Sequence, residues 1–198
     1  MEYIIKNAFE FEKLRLLYPY FKGHKGIIAG GVFKDIFLDK NFRDIDVFFW
    51  KETEFLNCIH EYNSAKEFSK KYENDNAIGY EESNSNIRID FVRKRFGSPK
   101  EIIDSFDFSV SKFALYKDED DSLKVIYHPL FFQDLVSKSL RFDSSTSDPI
   151  SQFSRVLKYS RYGFKITRED QITLIRDINQ MDEHLIDSLL LDNYDEYY

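Results

Sequence analysis

The stretch GGVFKDIFLDKNFRDIDVFFW, from Gly30 to Trp50, is the most informative part of this chain. A Gly-Gly turn opens a short predicted helix, and the strand that follows carries two aspartates, Asp44 and Asp46. Side chains two residues apart on a strand point to the same face, and paired carboxylates are the hard oxygen ligands that Mg²⁺ prefers. The apolar run after Asp46 is typical of a strand entering a core. A glycine-lined anion site beside paired carboxylates is the arrangement that phosphoryl transfer needs.

Each half of this pattern also has a simpler interpretation. Gly30 and Gly31 suit any strand-to-helix turn that requires an unusual backbone angle, although glycine also lets a backbone approach a phosphate and helix-start amides favour an anion. A pair such as Asp44 and Asp46 also arises by chance on a solvent-facing strand. The two features together, in this order, favour a metal site. Lys34 is either a phosphate partner or a surface lysine.

A third acid is expected, because two-metal mechanisms usually use one to bind the metal that lowers the pKa of the attacking hydroxyl. Asp90, in the segment NIRIDFV, is the best placed, since alternation puts Ile89 on one side and Arg88 with Asp90 on the other. The alternative for Asp90 is a surface acid on an edge strand. Asp107 lies between two phenylalanines, which predicts a partly buried carboxylate that binds backbone amides or a ligand hydroxyl.

The totals describe a soluble, acidic globular protein of 198 residues, with 42% apolar residues and a net charge of −7. The mean hydropathy is −0.49. With a single cysteine, Cys58, no internal disulfide is possible, which suits a cytoplasmic location. No apolar run reaches the roughly 20 residues of a membrane span, so no membrane partner is expected. Because phosphate neutralisation dominates non-specific nucleic-acid affinity, the negative charge argues against extended RNA or DNA binding.

One basic stripe interrupts this acidic background. Its members recur at steps of three or four on a predicted helix: Arg155, Lys158, Arg161 and Lys165. We expect them opposite an apolar face made of Phe153, Val156, Leu157 and Phe164. The stripe is either a solvated face or a contact for a nucleotide or RNA.

Hydrophobic periodicity predicts an α+β fold. Predicted helices cover Asn7–Tyr20, Val32–Leu38, Glu52–Tyr72, Pro99–Phe106, Leu130–Lys138, Pro149–Tyr162, Arg168–Gln180 and Asp182–Leu191. Predicted strands cover Gly26–Gly30, Ile45–Trp50, Ala77–Tyr80, Ile87–Val92, Ala114–Tyr116 and Leu123–Tyr127. The pattern therefore indicates a mixed-sheet domain over residues 1–128 and a helical region over 129–198, with Ser144–Pro149 as a linker candidate.

In this order, these residues resemble the head and neck of the tRNA nucleotidyltransferase (CCA-adding) and bacterial poly(A) polymerase family, within the polymerase-β-like nucleotidyltransferase superfamily. The likeness runs from about residue 26 to residue 170. The matching positions are Gly30, Gly31, Lys34, Asp35, Asp44 and Asp46, then Asp90, then Asp107 in FDFSVSKFAL, and Arg155 in SRVLKYSRYGFKI. The chain departs from the family at three places: Lys34 replaces arginine, Asp107 lacks the preceding arginine pair, and Ser151 with Gln152 replaces the usual Glu-Asp of the neck.

The resemblance implies a nucleotidyltransferase head, with a mixed sheet and flanking helices, followed by a small helical neck. It implies Asp44, Asp46 and Asp90 as catalytic residues and ligands of two Mg²⁺ ions. The implied nucleotide-binding residues are Gly30, Gly31, Lys34, Asp107, Arg155 and Lys158. The expected reaction moves a nucleoside monophosphate from a nucleoside triphosphate, ATP included, to an acceptor hydroxyl and releases pyrophosphate.

The expected acceptor is the 3′ end of a tRNA or another RNA, as in tRNA processing, with a protein partner supplying the body domain of the family. Two alternatives stay open. The first is the same chemistry on a protein or a small-molecule acceptor. The second is an inactive binding or assembly module that has kept the fold.

Overall fold

The computed structural model describes residues 2–21, 23–142 and 148–181. The chain divides into two compact units. The first contains Met1–Phe106 and Val110–Phe131, and the second contains Asp107–Ser109 and the chain from Phe132 onward. The division into functional domains at residue 128 remains a prediction.

Eight strands form one mixed sheet in the first unit. In spatial order they are β1 (Ile4–Asn7), β8 (Leu123–Tyr127), β7 (Phe113–Lys117), β2 (Ile27–Ala29), β3 (Asp44–Phe49), β6 (Arg88–Phe96), β5 (Ala77–Glu82) and β4 (Phe68–Glu73). Strands β3 and β6 are parallel, and the other neighbouring pairs are antiparallel. The strand with the paired aspartates therefore lies inside the sheet, between β2 and β6.

Three α-helices flank this sheet: α1 (Val32–Phe37), α2 (Glu52–Ser64) and α3 (Pro99–Asp104). The glycine turn leads into α1, whose N-cap is Gly31. Proline in the first turn and a capping box, formed by Ser98 and Glu101, fix the start of α3. Two 3₁₀ segments, Ala8–Glu10 and Glu12–Phe21, precede the central strands.

Alternation along β3 separates the two faces of the sheet. Ile45, Val47 and Phe49 are all fully buried on one face. On the opposite face, Phe48 joins a buried cluster with residues of β2 and with Ile102 and Ile103 of α3. Helix α3 therefore covers the part of this face that contains Phe48, and the same face carries Asp44 and Asp46.

The second unit is mainly helical. The described elements are α4 (Phe131–Ser137), whose first residue belongs to the first unit, α5 (Pro149–Ser160) and α6 (Arg168–Asn179), with a two-stranded parallel ladder of β9 (Ser139–Leu140) and β10 (Lys165–Ile166). A 3₁₀ turn, Ser109–Ser111, begins at Ser109, the last residue of the segment Asp107–Ser109 that belongs to this unit. Within the unit, Phe108 contacts Tyr159 of α5 edge-on, with ring centroids 5.4 Å apart.

The predicted α+β class, with a mixed sheet, flanking helices and a helical region after it, is confirmed. The strand predictions around the glycine turn and the aspartates are correct to within a residue or two. Among the residues that the structure describes, no helix is both long and apolar enough to cross a bilayer.

Three secondary-structure predictions were wrong, two before residue 129 and one after it. The first helix is 3₁₀ over Glu12–Phe21, where the buried residues Leu14, Leu17 and Tyr20 recur every third position, which is the 3₁₀ period. The predicted helix Glu52–Tyr72 ends at Ser64, and its lysine-rich end is the edge strand β4. Charged residues on an edge strand protect its open side from pairing, and this polar pattern hides the strand from periodicity.

The region after residue 129 is not helical throughout, because β9 and β10 pair within it. The predicted apolar face of α5 was also wrong, since Phe153 and Leu157 are 45% and 48% exposed. The buried side of α5 instead includes Tyr159, because that ring packs on Phe108. The predicted helix Asp182–Leu191 and most of the linker candidate lie outside the described residues.

Candidate metal and nucleotide site

The register of β3 against β6 brings the three predicted acids onto one face of the sheet. Asp46 lies opposite Asp90, and Asp44 lies opposite Arg88. Because aligned residues of parallel neighbours point to the same side and alternate residues share a face, the carboxylates of Asp44, Asp46 and Asp90 project from the same surface. We call these three residues the acid cluster.

The acid cluster lies at one end of a sheet face that is otherwise buried. Along β3, exposure falls from Asp44, which is exposed, through Asp46, which is intermediate, to the buried Phe48. Asp90 is 6% exposed. The acids therefore border a core on one side, which lowers the local dielectric and strengthens their interaction with a cation.

Gly30 lies beside the acid cluster. Its φ is +95°, a left-handed conformation that a residue with a side chain rarely adopts. A Cβ added there would lie 3.5 Å from Oδ2 of Asp46. The backbone N–H of Gly30 donates to the carbonyl oxygen of Phe113. This amide therefore extends the pairing of β2 with β7 and already has a hydrogen-bond acceptor.

Gly31 is the glycine of the pair that has open space beside its backbone. Its φ is −63°, and among the described residues no atom lies within 4 Å of where its Cβ would be. A ligand can approach the backbone closely at Gly31. The predicted phosphate contact of the Gly-Gly turn therefore falls on Gly31 and the amides that follow it.

Asp90 is held by Arg88 and lies beside Tyr72. Nε of Arg88 donates to its two carboxylate oxygens at 2.9 and 3.0 Å, and the hydroxyl of Tyr72 is near enough to lower the pKa of Asp90. The Tyr72 ring lies across Gly79, the residue opposite Asp90 on β5, where an added Cβ would be 2.1 Å from the ring. The guanidinium of Arg88 also reaches Asp44, with Nη2 3.7 Å from Oδ2.

Burial raises the pKa of Asp90, and the positive charge of Arg88 opposes this rise. The hydrogen bond to Tyr72 opposes it as well. Burial also raises the pKa of Tyr72, and the charge of Asp90 adds to the effect. Asp90 is thus a desolvated carboxylate that depends on nearby donors for its ionised form.

The donors fit a hard divalent cation in chemistry and placement, because three carboxylates share one face. Among the residues that the structure describes, however, no group of three or more His, Cys, Asp or Glu side chains is arranged to hold a metal ion. Asp90 faces Arg88 and Tyr72 instead. The structure thus places the predicted ligands together on one surface but does not bring them into a ready ligand set.

The other predicted nucleotide-binding residues are engaged with neighbours or lie in the second unit. Lys34 is 5% exposed and forms an ion pair with Asp35. In the second unit, Nε of Arg155 donates to the buried carboxylate of Asp107. Lys158 is exposed on α5. Their roles as nucleotide contacts remain predictions.

Sequence reasoning missed Tyr72 and the role of Arg88. Tyr72 stood at the end of a predicted helix, so its place on a strand beside Asp90 could not be seen. Arg88 was expected on the same side of the strand as Asp90, which the register bears out. The spacing Arg-x-Asp on a strand was the available signal, because two residues on one face are close enough to pair.

Solved structures with the same fold include CCA-adding enzymes. One is the Thermotoga maritima CCA-adding enzyme complexed with tRNA, with a TM-score of 0.64 and 18% identity, over 91% of this chain and 47% of the other. Another is a CCA-adding enzyme with CTP, with a TM-score of 0.66 and 17% identity, over 91% and 46%. A third is a tRNA nucleotidyltransferase with primer tRNA and an ATP analogue, with a TM-score of 0.58 and 20% identity, over 84% and 50%. At these identities the likeness establishes the fold: the sheet and its helices match the nucleotidyltransferase head.

Sequence comparison gives a different name. A family model described as Gabija anti-defense 2 family protein matches residues 3–138. The Gabija anti-defense 2 protein of Bacillus phage SPbetaL7 is 25% identical over 178 residues, covering 85% of this chain and 42% of the phage protein. The chain therefore spans less than half the length of that relative.

Proposed function

This chain belongs to the Gabija anti-defense 2 family, and on that premise we propose that it counters the Gabija defence as a metal-dependent nucleotidyltransferase. The observation that carries the proposal is the convergence of Asp44, Asp46 and Asp90 on one face of a nucleotidyltransferase-type sheet, beside the bend at Gly30. A fold alone does not fix a function. The proposal therefore rests on the acid cluster and not on the likeness of the sheet.

In the proposed site, Asp44, Asp46 and Asp90 would be the residues that hold two Mg²⁺ ions. When bound, the ions supply charge neutralisation for the triphosphate and a lower pKa for the attacking hydroxyl. The rigid, partly buried placement of Asp46 and Asp90 fixes where that charge is held, and electrostatic positioning of this kind provides much of the catalysis in phosphoryl transfer.

The proposed triphosphate lies against Gly31, where the backbone is open to close approach. The acceptor oxygen forms a bond to the α-phosphorus, the bond from the α-phosphorus to the bridging oxygen breaks, pyrophosphate leaves, and the hydroxyl proton passes to solvent water. Gly30 keeps the turn in place through its left-handed backbone and its bond to Phe113. The predicted nucleotide contacts of Lys34, Asp107, Arg155 and Lys158 belong to this proposal.

The proposed acceptor is an RNA 3′ hydroxyl of the tRNA type. Support comes from the similar structures, two of which are complexes with tRNA or primer tRNA. A protein or small-molecule acceptor is the first rival. An inactive binding module is the second rival. The ion pair between Asp90 and Arg88 supports it, because a site that had decayed at random need not keep such an ordered contact.

The test is a labelling experiment. Purified protein is incubated with Mg²⁺, each α-labelled nucleoside triphosphate in turn, and either total RNA or a bacterial lysate. We expect label in RNA, no label after chelation with EDTA, and a loss of roughly a hundredfold or more in Asp46→Asn, because a group that positions transition-state charge is removed.

The matched control is Asp121→Asn, which makes the same chemical change in the loop between β7 and β8, where Asp121 pairs with Lys25. This variant should label RNA as the unchanged protein does. Label in protein instead of RNA would assign the first rival. Absence of label with Mg²⁺ and with Mn²⁺, from a folded protein, would overturn the enzyme proposal in favour of a binding module.

A further inference from the structure

Arg88 occupies an unusual place for a basic side chain in a cation site. Its Nε contacts the two carboxylate oxygens of Asp90, and its Nη2 approaches Asp44. The guanidinium thus bridges two of the three carboxylates in the acid cluster. The third, Asp46, neighbours Asp90 directly across the strand pair.

One positive charge therefore already lies among the carboxylates that would hold a cation. Several carboxylates on one face repel each other, and a buried carboxylate needs a counter-charge or strong donors. Arg88 supplies the charge for Asp90, and Tyr72 supplies a further donor. The same contacts explain why the acids lie together but form no ready group of three metal ligands among the described residues.

The two partners of the ion pair between Arg88 and Asp90 differ in their exposure to solvent. Asp90 is almost fully buried, with 8% of its side chain exposed, whereas the Arg88 side chain is 44% exposed. An arginine at the solvent boundary regains hydration when its guanidinium moves into water, and the incoming cation would then take over as the counter-charge that the buried carboxylate needs. The carboxylate, in contrast, stays in place, since it is fixed on an inner strand.

We propose that Arg88 is a displaceable internal counter-cation, which stabilises the acid cluster without metal and leaves Asp90 when a divalent cation binds. This inference rests on the proposed metal site and adds a positioning residue to it. Arg88 then sets the metal concentration at which the site fills, because its charge competes with the incoming cation for the same oxygens.

The test measures binding of Mn²⁺, followed through the loss of the free-ion electron paramagnetic resonance signal, so that no turnover is needed. Arg88→Met removes the charge and keeps much of the side-chain length. In this variant we expect Mn²⁺ to bind roughly tenfold more tightly, which corresponds to about 1.4 kcal/mol. Arg88→Lys keeps a charge without the guanidinium fork and should give an affinity between the two.

The matched control is Arg93→Met. Arg93 lies on the same strand, is similarly exposed at 39% and pairs with Glu73. It lies three positions after Asp90, and its guanidinium donates to Glu73 and to the carbonyl oxygen of Asn74. It makes the same change in net charge and should leave the affinity unaltered. Circular dichroism spectra and melting temperatures verify that each variant is folded.

The outcomes separate the two proposals. If the unchanged protein binds Mn²⁺, Asp46→Asn weakens that binding, and Arg88→Met leaves it equal or weaker, then the metal site stands and the role of Arg88 is overturned. If no folded variant binds Mn²⁺, both are overturned. Equal tightening by Arg88→Met and Arg93→Met would reduce the effect to overall charge and would also overturn the role of Arg88.

Discussion

Two buried aspartates, one in each unit, have the same kind of partners and very different surroundings. Asp90 in the first unit pairs with Arg88 and lies beside the Tyr72 hydroxyl, which lowers its pKa. Asp134 in the second unit, on α4, accepts a 2.6 Å hydrogen bond from Ser109 and pairs with Arg141, whose Nε lies 3.3 Å away. Each is a desolvated carboxylate with one hydroxyl and one guanidinium.

The difference lies in the neighbouring charges. Two further carboxylates share a face with Asp90, and Arg88 also contacts one of them. Asp134 is only 1% exposed, and the donors Ser109 and Arg141 tie α4 to the segments on either side of it. Burial and an arginine partner thus mark a structural carboxylate as readily as a functional one. The crowding of like charges distinguishes the acid cluster as a candidate cation site.

The largest effect should come from Asp90→Asn. We expect nucleotidyl transfer to fall by roughly a hundredfold or more, because the third carboxylate that holds charge in the site is lost. The free energy of unfolding should change by less than about 1 kcal/mol, because burial already disfavours the ionised carboxylate and a neutral amide avoids that desolvation cost. Labelling rates and urea unfolding measure the two quantities. Full activity in this variant would make Asp90 a structural residue like Asp134.

Asp134→Ala should show the reverse. It leaves Ser109 without its acceptor and removes a charge-assisted bond, so we expect a loss of about 2 kcal/mol in the free energy of unfolding. The transfer rate per folded molecule should stay within about twofold of normal, which is small beside the effect expected at Asp90. Urea unfolding and a folded-fraction correction of the labelling rate are the measurements. A large loss of activity without destabilisation would erase the contrast between the two aspartates.

His24 extends the comparison to a buried group that stays neutral. Burial, with the nearby charge of Lys117, lowers the pKa of His24 to about 4 from its usual 6.5. The unfolded chain therefore takes up a proton below pH 6.5 while the folded chain does not until about pH 4, so the free energy of unfolding falls as the pH is lowered through this window. Between pH 7 and pH 5 this contribution is about 2 kcal/mol.

The check is urea unfolding of the unchanged protein and of His24→Phe at both pH values. The variant loses the bond from the Gly26 amide to Nδ1 of His24 at either pH, so its stability should be lower but less dependent on pH. An identical pH dependence in the two proteins would show that the pKa of His24 is the same in the folded and unfolded states.

The smallest effect concerns the support of Tyr72. Gly79→Ala would place a methyl group against the Tyr72 ring, and we expect a cost of about 1 kcal/mol or more from overpacking. Gly31→Ala is the matched stability control, because that position is open among the described residues and its φ suits alanine. Thermal unfolding compares the two variants. Equal stability of both would show that the Tyr72 ring moves aside without cost.

Much of the candidate site was predictable because it depends on local rules. The Gly-Gly turn before α1 and the shared face of Asp44 and Asp46 follow from backbone preferences and from alternation along one strand. The face of Asp90 was predicted in the same way. The edge strand β4 was not, because a strand with one open side carries many polar residues and has no clear period. The face of α5 was missed since its burial depends on Phe108, which lies far away in sequence.

The amino-acid sequence by itself determined which carboxylates exist, the strands that carry them and the side of each strand to which they point, because these are properties of neighbouring residues. The tertiary structure alone decided that β3 and β6 run parallel with Asp46 opposite Asp90, and that Tyr72 lies beside Asp90. Strand pairing joins segments more than forty residues apart through backbone hydrogen bonds that any side chains allow. Its register is therefore set by the packing of the whole unit.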